Sequence, residues 1–112
     1  MSKIPKDLLQ KYEKAQTLAR EAFDEANEAA NRSHTERENL EKCRREFIAL
    51  CHADEDARHD DLVRAAERCV AAGRSVNESR EKFREKYEAE NRAHNLVNEL
   101  HGHIEQIARG SE

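Results

Sequence analysis

Apolar and small residues recur along the first half of the chain at intervals that alternate between four and three. This spacing keeps them on one face of a helix and is typical of a coiled-coil seam. The seam comprises Leu8, Tyr12, Ala15, Ala19, Ala22, Ala26, Ala29, Ser33, Glu36, Leu40, Cys43, Phe47 and Leu50. The pattern predicts one long amphipathic helix over this half of the chain.

The phase of the pattern changes within the segment CHADEDARHDD, residues 51–61, and the apolar residues restart at Leu62. A shift of one residue here is what a turn between two helices would produce. The second seam is expected to comprise Leu62, Ala66, Cys69, Gly73, Val76, Arg80, Phe83, Tyr87, Glu90, His94, Val97, His101, Ile104 and Ala108.

A pairing test favours an antiparallel hairpin over one continuous helix. If the chain folds back about its midpoint, large residues lie opposite small ones: Leu40 faces Gly73, and Phe47 faces Ala66. Interdigitated packing requires such pairs. We therefore predict an all-α fold, a long antiparallel helical hairpin that forms a single domain. The expected boundaries are helix one at about 5–53, the turn at about 54–59 and helix two at about 60–109.

Two local signals allow a different helical arrangement. Ser33 with Glu36 and Ser75 with Glu78 fit the S-x-x-E capping box, and Gly73 could end a helix, which together would give three or four shorter helices. The seam nevertheless passes through these positions without losing register. A loop rarely preserves register on both sides, so the pattern favours two long helices.

Composition agrees with long helices and excludes a thick globular core. The 112 residues are 39% charged and 4% aromatic, with one Pro and three Gly, and helix-forming residues dominate. No apolar run is long enough for a signal peptide or a membrane span. We therefore expect a cytoplasmic protein that does not enter a membrane.

Large apolar residues are concentrated towards the two chain termini and exceed what one seam can hold. The surplus needs another surface, and a homodimer that forms a four-helix bundle would supply it, as would a helix from a different protein. The residues predicted to line this interface are Leu9, Leu18, Leu96, Leu100 and Ile107.

The sequence offers little catalytic or ligand-binding chemistry. The 20 Lys and Arg are spread among 24 Asp and Glu without a basic block, so we do not expect nucleic acid to be the partner. The three cysteines lack CxxC spacing, and we expect no cofactor, no metal and no catalytic site. One alternative remains open, because His52, Asp56 and His59 would share a face if the helix were unbroken and could then bind a metal between chains.

These observations lead to one principal functional hypothesis and one alternative. The principal hypothesis is a non-enzymatic protein-protein interaction module, an adaptor, scaffold or inhibitor, built on a coiled-coil hairpin. The alternative is a ligand- or metal-binding helical bundle with its site between chains.

Overall fold

The structure, a computed structural model, describes residues 4–53 and 59–110. Helix α1 spans Lys6–His52 and helix α2 spans His59–Arg109. The two helices pack against each other as an antiparallel hairpin, which confirms the predicted fold class. The expected turn at 54–59 lies outside the described residues except for His59, which opens α2.

Both helices begin and end where their terminal residues can satisfy free backbone groups. The carbonyl of Pro5 accepts from the amides of Leu8 and Leu9 at 3.1 and 3.2 Å, which closes the first turn of α1. Asp60 lies in the first turn of α2, where the helix dipole favours a carboxylate. The amide of Gly110 donates to the carbonyl of Gln106 at 2.8 Å and ends α2.

Each helix is continuous through the positions that could have interrupted it. Ser33 lies within α1, and Ser75, like Gly73, lies within α2. The capping-box patterns therefore do not start new helices here, and the arrangement of three or four shorter helices is wrong. A side chain that packs in a seam gains more from tertiary contact than the local capping signal offers.

The chain divides into two compact units. Unit 1 is formed by Met1–Asn27 and Arg84–Glu112, and unit 2 by Glu28–Phe83, so each unit contains one segment of each helix. In unit 1 the rings of Tyr12 and His101 lie 6.1 Å apart between centroids. In unit 2 Leu40 and Gly73 line the same groove. Both pairs are among positions that the hairpin pairing places opposite each other.

The predicted seam of α1 is confirmed. Each of its thirteen members, from Leu8 to Leu50, is buried or half-buried. Between these two residues, only Gln16 and Ala30 share that degree of burial from outside the seam. The alternation of four and three residues therefore identified the face of α1 that packs against α2.

The predicted seam of α2 is right at nine of its fourteen positions. Leu62, Ala66, Cys69, Gly73, Val76, Phe83, Glu90, Val97 and Ile104 are buried or half-buried, as expected, although Ala65 and Ala72 are more deeply buried than their neighbours Ala66 and Gly73. From Ser79 onward the alternate positions lie one residue earlier than predicted: Ser79, Ala93, Leu100 and Ile107 are buried or half-buried, whereas Arg80, Tyr87, His94, His101 and Ala108 are exposed. This register keeps a guanidinium and two imidazoles in water and so avoids their desolvation.

The core of the hairpin is made of small side chains. The buried hydrophobic residues are Ala15, Ala19, Ala26, Ala65, Ala72 and Val76. Ser33 and Ser79 are buried as well, and the Ser79 hydroxyl donates to the Val76 carbonyl at 3.0 Å. Among the described residues no large side chain is fully buried. Small seam residues let two helices approach closely but remove little apolar surface from water.

A candidate protein interface

Five residues were predicted to line an interface, and the structure places them in two different settings. Leu9, Leu18 and Leu96 are exposed, with 40%, 56% and 44% of their surface accessible. Leu100 and Ile107 are half-buried at seam positions of α2. Three of the five are thus available to another molecule, whereas the other two contribute to the packing of the hairpin itself.

The exposed members of this set do not share one surface. Leu9 and Leu18 are nine residues apart, which at about 100° per residue puts them on nearly opposite sides of α1. Leu9 directly follows the seam residue Leu8, and Leu18 directly precedes the seam residue Ala19. Unit 1 therefore has two flanks, one on each side of its seam.

The flank that carries Leu9 also carries aromatic residues from both helices. Phe23 lies two heptads after Leu9 on α1, and Tyr87 lies one heptad before His94 on α2. Phe23 and Tyr87 are 49% and 51% exposed. We call this surface the aromatic flank; it comprises Leu9, Gln16, Phe23, Tyr87 and His94.

A groove runs between the two helices on the aromatic flank. Its volume is about 640 Å³, and its lining is Gln16, Ala19, Arg20, Phe23, Asp24, His94 and Val97. Two seam residues, the buried Ala19 and the half-buried Val97, form the floor of this groove. An apolar floor beside half-exposed aromatic rings is typical of a surface that receives another protein.

The opposite flank of unit 1 is less apolar. It carries Leu18 on α1 and Leu96 on α2, each directly before a seam residue. The surface depression next to Leu18 is otherwise lined by polar and charged residues, namely Gln10, Glu13, Lys14, Thr17 and Glu21. Single exposed leucines in polar surroundings are common on protein surfaces and indicate no particular partner.

Some charged side chains of unit 1 form ion pairs within the chain. Lys86 Nζ of α2 donates to Glu25 Oε2 of α1 at 2.9 Å, across the seam. Lys86 lies seven residues after the seam residue Ser79 and seven before Ala93, but it is exposed, and its ammonium group reaches the Glu25 carboxylate at the edge of the seam. On α2, Arg84 lies 3.5 Å from Glu88, its neighbour one turn further along. The first pair joins the two helices, and the second lies within α2.

The histidines of the metal hypothesis lie on different helices. His52 is the last residue of α1 and His59 the first residue of α2, and both are exposed. Asp56, the third expected ligand, lies outside the described residues. Within residues 4–53 and 59–110 no group of three or more His, Cys, Asp or Glu side chains is arranged to hold a metal ion.

The aromatic residues of the flank were missed in the sequence. Phe23 lies one position beyond the seam residue Ala22, and Tyr87 was assigned to the seam itself. A pattern that could have identified them is the seven-residue interval Leu9, Gln16, Phe23, which runs parallel to the seam. Two of its three members are apolar, and apolar residues at such intervals beside a seam indicate a second contact surface.

Comparisons of this chain with known proteins found no relative. The chain matches no protein-family model, no curated protein and no solved structure. In the part of the chain that the structure describes, neither helix has a stretch long and apolar enough to cross a membrane.

Proposed function

We propose that the chain is a non-enzymatic protein-protein interaction module, an adaptor, scaffold or inhibitor, and that its aromatic flank binds a second copy. One observation carries this proposal: the buried side chains of the hairpin are small, its large seam side chains are only half-buried, and several other large apolar side chains are exposed. Among residues 4–53 and 59–110, six hydrophobic residues are buried, and only Val76 of these six is larger than alanine. Phe23, Tyr87 and Leu9 are 40–51% exposed.

This distribution leaves the hairpin with little stabilisation of its own. Burial of a large apolar side chain contributes about 1.5–3 kcal/mol, and burial of an alanine far less. Domains of this size are stable by a small margin even when their cores are thick. A second molecule that covers the aromatic flank would supply the missing apolar burial.

A second copy of the chain is the partner that this surface suits best. A two-fold interface brings the same patch of both molecules together, so the patch must be complementary to itself. The aromatic flank offers rings on both helices beside an accessible groove, so Phe23 of each molecule could enter the groove of the other. Two hairpins joined in this way form a four-helix bundle, in which residues of both hairpins contribute to one core.

We also propose a cytoplasmic location. Cys43, Cys51 and Cys69 are all free thiols. Free cysteines, one of them exposed, fit a reducing compartment better than an oxidising one.

The experiment is to measure molar mass by light scattering for the wild-type chain and two matched variants. Phe23→Glu places a carboxylate in the proposed contact and should convert the dimer to a monomer. Ile48→Glu makes the same change at a residue of unit 2 that is equally exposed, at 53%, and should leave the dimer intact. A wild-type chain that is monomeric at all concentrations, or a dimer that survives Phe23→Glu, would contradict the proposed interface.

A further inference from the structure

Unit 2 contains a groove whose chemistry differs from that of the aromatic flank. It has a volume of about 520 Å³, and its apolar lining includes Leu40, Val76 and the open face of Gly73. Val70 also lines it and is 57% exposed. We call this surface the arginine groove, because Arg37 and Arg44 of α1 and Arg74 and Arg80 of α2 surround it.

The charge of the arginine groove is unusual for this chain. The whole chain has a net charge of -4, whereas the groove has four guanidinium groups and a single carboxylate, that of Glu41. None of the four arginines makes an ion pair or a hydrogen bond with another described residue. Guanidinium groups bind carboxylates with two parallel hydrogen bonds, so an unpaired set of them is suited to an acidic ligand.

Gly73 leaves open space above the floor of this groove. Glycine in a helix interior destabilises the helix relative to alanine. A Cβ added at Gly73 would meet nothing within 4 Å, so packing within the chain does not require glycine here. Gly102 is equally open but lines neither this groove nor that of the aromatic flank, so the space at Gly73 has room for another molecule's side chain without itself identifying a ligand.

The spacing of the arginines favours a helical ligand. Arg37 and Arg44 lie seven residues apart on one flank of α1, which corresponds to about 10.5 Å along the helix. Carboxylates seven residues apart on a second helix have the same separation. The apolar residues between the arginines, Leu40 and Val76, would contact an apolar side chain placed between those carboxylates.

The same features argue against nucleic acid as the ligand. No aromatic residue lines the groove, so bases would have no surface on which to stack. The Glu41 carboxylate would repel a phosphate backbone that followed the arginines. An apolar floor also has no counterpart in a phosphodiester chain.

We infer that the arginine groove binds an acidic amphipathic helix of a partner protein. Two carboxylates of that helix pair with Arg37 and Arg44, and an apolar side chain between them fills the space over Gly73. This inference rests on the proposed function, because it names the chemistry of a partner for an interaction module.

The test uses the full-length chain and a fluorescent synthetic helical peptide with two glutamates seven residues apart and a leucine midway between them. Anisotropy should report binding of this peptide and much weaker binding of a peptide with glutamines in place of the glutamates. The double variant Arg37→Gln, Arg44→Gln should bind the glutamate peptide about 5- to 20-fold more weakly. Arg45→Gln removes an arginine of the same helix that does not line the groove and should bind as the wild type does.

Gly73→Ala separates a role in binding from a role in folding. The variant should melt at a higher temperature than the wild type, because alanine favours the helix, yet bind the glutamate peptide more weakly. Equal binding of the glutamate and glutamine peptides, unchanged affinity in the double arginine variant, or tighter binding of a single-stranded oligonucleotide would overturn the inference. If the chain dimerises through Phe23 but does not bind the glutamate peptide, the proposal that the arginine groove binds an acidic helix is wrong and the proposed dimer stands. If the chain binds the peptide but is monomeric, only the proposal that the aromatic flank binds a second copy is wrong.

Discussion

The two units of the hairpin have similar seams and different surfaces. In unit 1 the buried residues are Ala15, Ala19 and Ala26, and in unit 2 they are Ser33, Ala65, Ala72, Val76 and Ser79. Both sets consist of small side chains. Outside the seam, unit 1 presents aromatic rings and leucines, whereas unit 2 presents Ile48, Val63 and Val70 together with four arginines that pair with no other described residue.

This contrast suggests a division of roles between seam and flank. The seam, with small residues at its buried positions, holds the two helices together and does not differ enough between the units to select different partners. The flanking positions, one residue away from the seam, differ between the units in both polarity and charge. We therefore expect seam substitutions to change the stability of the hairpin and flank substitutions to change what it binds.

The seam of unit 2 can be tested through its two half-buried cysteines. Cys43 and Cys69 occupy seam positions of opposite helices. Mild oxidation or a short thiol crosslinker should link them within one chain, and a bridge that closes a loop of about 25 residues should stabilise the hairpin by up to about 3 kcal/mol. Peptide mapping identifies the link, and thermal melts of the oxidised and reduced forms measure the gain.

The exposed third thiol must be removed for this measurement. In a Cys51→Ser background only the seam cysteines remain, so a link between chains and a link within one chain differ in mass. If both thiols react after unfolding but give no intrachain product in the folded chain, the helices of unit 2 do not pair in this register.

The distinction between seam and flank in unit 1 can be tested with two leucines. Leu100 is half-buried in the seam, so Leu100→Glu should lower the free energy of unfolding by about 2 kcal/mol, because it places a carboxylate in a partly desolvated contact. Leu18→Glu makes the same change at a side chain that is 56% exposed and should alter stability by less than about 0.5 kcal/mol. Thermal melts of both variants, with light scattering to follow their assembly, distinguish a seam residue from a flank residue. An equal loss of stability in the two variants would mean that Leu18 is covered in the assembled protein.

Much of the fold could be predicted because the seam of α1 is unambiguous. In each heptad of that helix two residues occupy the seam, and all of them except Glu36 are small or apolar, whereas most of the residues around them are charged or polar. In α2 the choice was open at Ala65 or Ala66 and at Ala72 or Gly73, since both neighbours are small. Later heptads resolve it, because Leu100 is apolar where His101 is polar, but the prediction continued the order of intervals found in α1.

The candidate surfaces were harder to predict than the helices. The arginine groove combines residues from two helices, and Arg80 was assigned to the seam rather than to its flank. A register error of one residue wrongly assigns a residue of the flank to the seam. Which arginines share a groove depends on how the two helices pair, and no pattern within one helix contains that information.

The smallest expected effect concerns the ion pair that joins the helices of unit 1. Lys86 and Glu25 are 2.9 Å apart, with 46% and 57% of their side chains exposed. Water and salt screen such a pair, so its coupling free energy should be about 0.2–1 kcal/mol and should decrease at high ionic strength. A double-mutant cycle with Lys86→Met and Glu25→Gln measures it, and Arg84 with Glu88, both on α2, supplies the comparison within one helix. A coupling well above 1 kcal/mol that salt does not reduce would mean that the pair is shielded from water, as it would be if a second molecule covered that side of unit 1.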